Sequence, residues 1–186
     1  MSKSKEEVME ATFRALCEHG FANLSINKIA DKFRKGKSLI YYHFEDKEDL
    51  MLSFMDTMQE QLEKDYKELK DLEPEKAIDK LLDKALGIES EEKWESQKAF
   101  QEFRIQAHHN EKFQKKFQEI DRVVTENVSD IMSQAGSENP GSSARILLSL
   151  IDGAISRKVS TGDREGLQKL KKDIKKTISA FFKKDC

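Results

Sequence analysis

The sequence predicts an all-α protein, and three observations carry that expectation. Only eight glycines and two prolines interrupt 186 residues. The chain is rich in Lys, Glu, Leu and Gln, which lose little side-chain freedom in a helix. Apolar residues recur at spacings of three and four through most of the chain, and no segment reads as a strand. Hydrophobic and charged residues each make up 37%, which suits one large domain or a small domain joined to a medium one.

Nine helices follow in order. The first runs from about Lys5 to His19, with Val8, Ala11, Thr12, Ala15 and Leu16 on one stripe. Gly20 is its expected left-handed C-cap, with Phe21 folding back on the last turn. Ser25 reads as an N-cap, and Ile26, Ile29, Ala30 and Phe33 form a second, short stripe. After "RKG" (Arg34–Gly36) a third short helix starts near Lys37. Asp46 caps a long fourth helix to about Asp71, with Glu48 and Asp49 in its first turn, where the helix dipole favours them. Pro74 opens a fifth, ending near Gly87. The sixth spans about Glu91 to Gln106 and the seventh about Glu111 to Gln134. The run "GSENPGSS" is the clearest break. The apolar eighth helix, "ARILLSLIDGAIS", follows it, and a basic ninth runs to about Phe182.

Charge is unevenly placed. Residues 1–47 hold nine Lys+Arg against seven Asp+Glu, while the whole chain carries a net charge of −2. Lys28, Lys32, Arg34, Lys35 and Lys37 are opposed only by Asp31, a local focus for anions within a mildly acidic chain. No window approaches the roughly 18 apolar residues of a membrane span. The N-terminus is polar and lacks the apolar core of a signal peptide. Cys17 reads as a small buried residue, and with Cys186 suggests neither a disulfide framework nor a metal knot. A reducing cytoplasm fits, with no membrane partner.

Two short helices after a longer one make a helix-turn-helix arrangement. The second helix is too short to hold alone, so Ile26, Ile29, Ala30, Ile40 and Phe44 must pack against Val8, Ala11 and Leu16. Lys37, Ser38, Leu39, Tyr41, Tyr42 and His43 are then left facing partly outward. A helix entering the major groove needs such a face: positive charge at its N-terminal end, a small residue for close approach, and polar or flat side chains for bases and phosphates.

The stretch "IADKFRKGKSLIYYHFEDKEDL", with "EHGFANLSINKIA" before it, resembles the recognition region of TetR-type transcriptional regulators. Ile29, Ala30, Tyr41, Tyr42, His43, Phe44, Lys47 and Leu50 stand at the family's motif positions, and Ile40 stands for its Leu. The likeness covers about residues 5–52. It implies an N-terminal DNA-binding domain over 1–47 and a helical regulatory domain over 48–186. It further implies that Ser25 touches a phosphate, that Lys37 meets a base edge or a phosphate, and that Ser38 permits close approach. Tyr41 would face bases, Tyr42 and His43 phosphates, and Lys47 would clamp the backbone. Arg34 and Lys35 replace the family's turn Gly and Val, Gly36 its N-cap Ser, and Leu39 a frequent Thr. Lys35 either loosens the turn or adds a phosphate contact. Leu39 suits a thymine methyl but cannot hydrogen-bond.

The resemblance also implies an effector cavity enclosed by the middle helices. Met55, Met58, Leu62, Trp94, Phe100, Phe103, Arg104, Ala107, Phe113 and Phe117 lie on those helices, although an aromatic stripe at helical spacing is more often core than a binding box. Trp94 and Arg104 suit an apolar or aromatic effector, including one with an anionic group. The eighth helix is apolar on most sides and must be buried against more than one neighbour. With the ninth it would pair in a homodimer through Leu148, Ile151, Asp152, Ile155, Ile174, Ile178 and Phe181.

The reading that follows is a ligand-responsive regulator, a repressor binding a palindromic operator in double-stranded DNA as a dimer. The alternative is a helical small-molecule or partner-binding module without DNA affinity. An enzyme is not indicated: the chain has no Gly-rich phosphate loop, no H-E-x-x-H, and no Glu three places before any histidine. The adjacent His108 and His109 point apart at a helix end, so no metal site and no cofactor are expected.

Overall fold

The computed structural model describes residues 2–33, 35–162 and 165–182, with side chains as far as Ser179. Among these are nine α-helices: α1 (Lys3–Asn23), α2 (Ile26–Lys32), α3 (Lys37–His43), α4 (Lys47–Lys70), α5 (Pro74–Ala85), α6 (Glu91–Gln106), α7 (Glu111–Gln134), α8 (Pro140–Thr161) and α9 (Leu167–Phe182). A 3-10 turn, Ala107–His109, joins α6 to α7. No strand occurs among the described residues, and no described helix is long and apolar enough to cross a membrane.

Packing divides the chain into two compact units. One comprises residues 1–61 with 99–118, the other residues 62–98 with 119–186. The motif alone draws a boundary after residue 47, whereas contacts gather the start of α4, the end of α6 and the start of α7 around the first three helices. The physical reason is aromatic. Phe21, just past the kink in α1, stacks on Phe103 of α6 at 4.4 Å and meets Phe113 of α7 edge-on at 6.0 Å. Phe103 also contacts Phe113 and Phe117, each at 5.3 Å.

Within this first unit, α1 begins on Ser2, whose side chain accepts from the Lys5 N–H. Its stripe of Val8, Ala11, Thr12, Ala15 and Leu16 is buried. The Thr12 hydroxyl satisfies itself on the Val8 carbonyl at 2.8 Å, as a buried hydroxyl must. Gly20 departs from the expected cap. Its φ is 68° but its ψ is 165°, extended rather than left-handed helical, so the chain kinks there and one further turn runs to Asn23. Ser25 caps the seven residues of α2 by accepting from Lys28 N–H. The seven of α3 start after Gly36 with no side-chain cap. Ile29, Ile40, Phe44 and Leu50 are buried with the α1 stripe, each apolar side chain contributing roughly 1.5–3 kcal/mol. Asp46 caps α4 by accepting from Asp49 N–H at 2.8 Å.

The second unit is aliphatic. Ala77, Ile78, Leu81 and Leu82 of α5 are buried with Ala144, Leu147, Ile151 and Ile155 of α8 and Ile174 and Ile178 of α9. Helix α8 starts four residues before the apolar run, because Pro140 takes the first turn and Asn139 accepts from Ser142 N–H. Gly87, at φ 62°, closes α5: a Cβ there would stand 3.0 Å from the Lys93 carbonyl oxygen. One cation lies inside this packing. Lys171 of α9 reaches Asp79 at 2.9 Å and Asp83 at 2.7 Å, and Lys175 joins Asp79 at 3.1 Å. The Lys171 bond holds the Asp79 carboxyl below its ordinary range. Burial works against the Lys171 ammonium, but the two carboxylates outweigh it and push its pKa up.

Candidate nucleic-acid interface

The three-helix packing decides which side chains of α3 reach solvent. Ile40 has no exposure and Phe44 is buried, which anchors the inner face. Lys35, Gly36, Lys37 and Ser38 are exposed and Leu39 is half-buried. Tyr41 is 50% exposed and Tyr42 80%. Exposing two adjacent tyrosines beside a basic segment carries some cost, since large aromatic groups gain most by burial. The Lys37 ammonium lies 5.4 Å from the Tyr41 ring centroid, which orders the charge at the N-terminal end of α3.

Other members of the set are held by neighbours. His43 is half-buried, and its Nε2 is 2.8 Å from the Ser4 hydroxyl. Its ring meets Tyr42 edge-on at 5.1 Å. Lys47 donates to the Phe21 carbonyl at 3.2 Å and lies 4.5 Å from that ring's centroid. Burial pushes the pKa of its ammonium down. Lys35, open in the sequence between a loosened turn and a phosphate contact, is exposed and pairs with Glu7 at 2.7 Å; such surface pairs contribute little. Lys32 pairs with Glu18. Arg34 lies outside the described residues.

Of the ten residues expected around an effector, Phe100, Phe103, Phe113 and Phe117 come together as a ring cluster in the first unit. Met55 and Ala107 are buried in that unit, and Met58 and Arg104 are half-buried. Leu62 and Trp94 belong to the second unit, where Leu62 packs on the aliphatic core and Trp94 is buried. A cavity of about 560 Å³ lies elsewhere in the second unit, lined by Pro74, Lys76, Ile78, Gln134, Lys175 and Ile178 among others. Of the residues named for a dimer interface, Ile151, Ile155, Ile174 and Ile178 are already buried inside one chain. Leu148 packs partly against the same core and Asp152 is half-buried. The Phe181 side chain lies outside the described residues. Helix α8 instead exposes Ile146 and Leu150, with Gly153 in open space one turn on.

Sequence reading missed three contacts that position the set: Ser4 on His43, Glu102 on the Ala22 N–H at 2.9 Å, and the pairing of Glu48 with Asn110 and Lys112. Each joins residues 39 or more apart, and no local pattern announces such a pair. Among the described residues no group of three or more His, Cys, Asp or Glu could hold a metal ion.

A basic, aromatic short helix braced by two others makes a helix-turn-helix arrangement, and comparison with known proteins narrows its class. Residues 8–54 match the family described as bacterial regulatory proteins, tetR family. Over 53 residues the chain is 30% identical to the HTH-type transcriptional repressor AcnR of Corynebacterium diphtheriae, 28% of either protein's length. A TetR transcription regulator from Haloarcula marismortui aligns over 98% of this chain and 100% of its own, with a TM-score of 0.85 and 29% identity. The transcriptional regulator FadR of Bacillus subtilis, solved with stearoyl-CoA, shares the fold over 93% of this chain and 96% of its own, with a TM-score of 0.75 and 16% identity. Residues 8–54 thus match the tetR-family region, and the chain as a whole resembles TetR-type transcription regulators in fold.

Proposed function

We propose that the protein is a cytoplasmic repressor that binds a palindromic operator as a homodimer and is released by a small apolar or aromatic effector. The observation that carries the reading is the outward face of α3, where Lys37, Tyr41 and Tyr42 stand in solvent while Ile40 and Phe44 fix the helix from within. Residues 1–47 act as the DNA-binding domain and residues 48–186 as the regulatory one. Ser25, Lys35, Tyr42, His43 and Lys47 take phosphates. Lys37, Leu39 and Tyr41 take base edges, with Gly36 and Ser38 allowing the approach. Two such helices about 34–36 Å apart read two half-sites.

An effector shifts the equilibrium only through its differential affinity for the DNA-binding and released states. What supports its class is the cluster of phenylalanine rings on α6 and α7 and the stearoyl-CoA of the FadR structure that shares this fold. Support for the dimer comes from Ile146 and Leu150, which the single chain leaves exposed on α8.

The test is selection of bound duplex from a random pool, followed by titration at rising salt. A palindromic consensus with affinity falling steeply with salt is expected. Salt-independent retention, or none, would favour the module without DNA affinity. Sedimentation of an Ile146→Lys, Leu150→Lys variant checks the dimer, with a shift to monomer as the expected result.

A further inference from the structure

We propose that Glu102 and Phe21 are positioning residues for Lys47, so that α6 governs whether this ammonium is held where a DNA phosphate would meet it. The inference rests on the DNA-binding reading above and names a route by which that site is regulated. It begins at Gly20, whose φ of 68° and ψ of 165° turn the chain out of α1. A Cβ at this position would run into the Glu102 carboxylate. Gly20 therefore serves two ends, the turn itself and the room that lets a side chain from α6 reach the backbone.

Two consecutive residues of α6 meet this end of α1. Glu102 accepts from the Ala22 N–H at 2.9 Å, a charge-assisted bond of the stronger kind. Phe103, with no exposure, stacks on Phe21 at 4.4 Å with the rings 15° from parallel. The α1 end is thus gripped by its backbone and by its ring.

Lys47 completes the chain of contacts. Phe103 stacks on the Phe21 ring. The Lys47 ammonium lies over the same ring, 4.5 Å from its centroid, and donates to the Phe21 carbonyl at 3.2 Å. A partly desolvated ammonium is held where partners replace its lost water. If α6 withdraws Glu102 and Phe103, Phe21 keeps only its edge contact with Phe113 among the described ring pairs, and the seat of Lys47 loosens. The long side chain must then be ordered again before it can meet a phosphate, at an entropic cost.

The experiment uses the full chain and the duplex selected by the wild type. Glu102→Ala is expected to weaken binding about five- to tenfold, the share of one solvent-exposed hydrogen bond. Glu102→Gln keeps an acceptor for Ala22 and retains most of the affinity. In a Lys47→Ala background, Glu102→Ala should cost less than about twofold, because the group it positions is gone. A second readout needs no DNA: in protein labelled with 13C-lysine, the Phe21 ring displaces the Lys47 ε-methylene resonance, and Glu102→Ala should return it towards the exposed lysines. An unmoved resonance, or additive effects of Glu102→Ala and Lys47→Ala, overturns the positioning role while DNA binding stands. A resonance that moves in a protein binding no duplex at any salt overturns the phosphate role.

Discussion

Lys37 and Lys171 are the same residue type put to opposite use in the two units. Lys37 stands in solvent at the start of α3, with a tyrosine ring 5.4 Å away. Lys171 is buried and closed by Asp79 and Asp83. The first charge is available to an incoming anion, whereas the second is spent on joining α5 to α9. The cores differ in the same sense. The first unit closes α1 against α6 and α7 with stacked and edge-on rings, and the second closes α5, α8 and α9 with leucine and isoleucine. Rings prefer a few geometries at defined distances, whereas aliphatic side chains pack without such directional preference.

The contrast can be broken at its strongest point first. Phe103→Ala is expected to cost about 3–5 kcal/mol and Leu82→Ala about 2–5 kcal/mol, read by urea denaturation of each variant. The two should part in a second measurement, because Phe103→Ala should also displace the Lys47 resonance and Leu82→Ala should not. Equal displacement by both would remove the distinction between the cores.

Next in size is the exposed lysine. Lys37→Ala should cost about 1–3 kcal/mol at one operator position and relax base preference there, while Tyr42→Phe and Lys47→Ala weaken binding about equally across sequences. Competition between the selected duplex and single-base variants separates these outcomes. A Lys37→Ala loss that is uniform over all bases would reassign it to a phosphate.

The buried lysine follows. Lys171→Met leaves Asp79 and Asp83 without their shared cation and should cost about 1–2 kcal/mol. This is below the range for a fully buried pair, because both carboxylates keep some access to water. Its pH dependence has a definite sign. The Asp79 contribution is present above the unfolded carboxyl pKa of about 4 and is lost as pH falls through the lower folded value. The Lys171 contribution is present below about 10.4 and is lost as pH rises through its raised folded value. Denaturation at pH 3 and pH 7 should show a smaller loss of stability on acidification in Lys171→Met than in the wild type.

The smallest effect sharpens the local picture. Ser25→Ala removes the oxygen that accepts from Lys28 N–H and should destabilise by about 1 kcal/mol. If Ser25 also meets a phosphate, the operator affinity of Ser25→Ala falls by more than Ser25→Gly, which keeps much of the capping preference, would suggest.

Much of the candidate site was legible before any coordinates. The stripe Val8, Ala11, Ala15 and Leu16 and the inward Ile29, Ile40 and Phe44 follow from helical spacing. Once these are placed inside, Lys37, Tyr41 and Tyr42 must face out. Ser25, Asp46 and Pro74 announce helix starts through their own hydrogen-bonding and backbone chemistry. Gly20 was legible only in part: its positive φ suits the residue type, but neither its extended ψ nor the approach of Glu102 from α6 is written in the local sequence. Pro140 was passed over as a start because the apolar run begins later.

Sequence alone determined the helices, their order and the outward chemistry of α3, because period, caps and breakers act over three or four residues. Tertiary structure decided what Lys47 and His43 rest on, why Lys171 is buried, and which isoleucines of α8 and α9 are already covered. Those outcomes depend on partners 26 to 92 residues away. Only packing of the folded chain sets such distances.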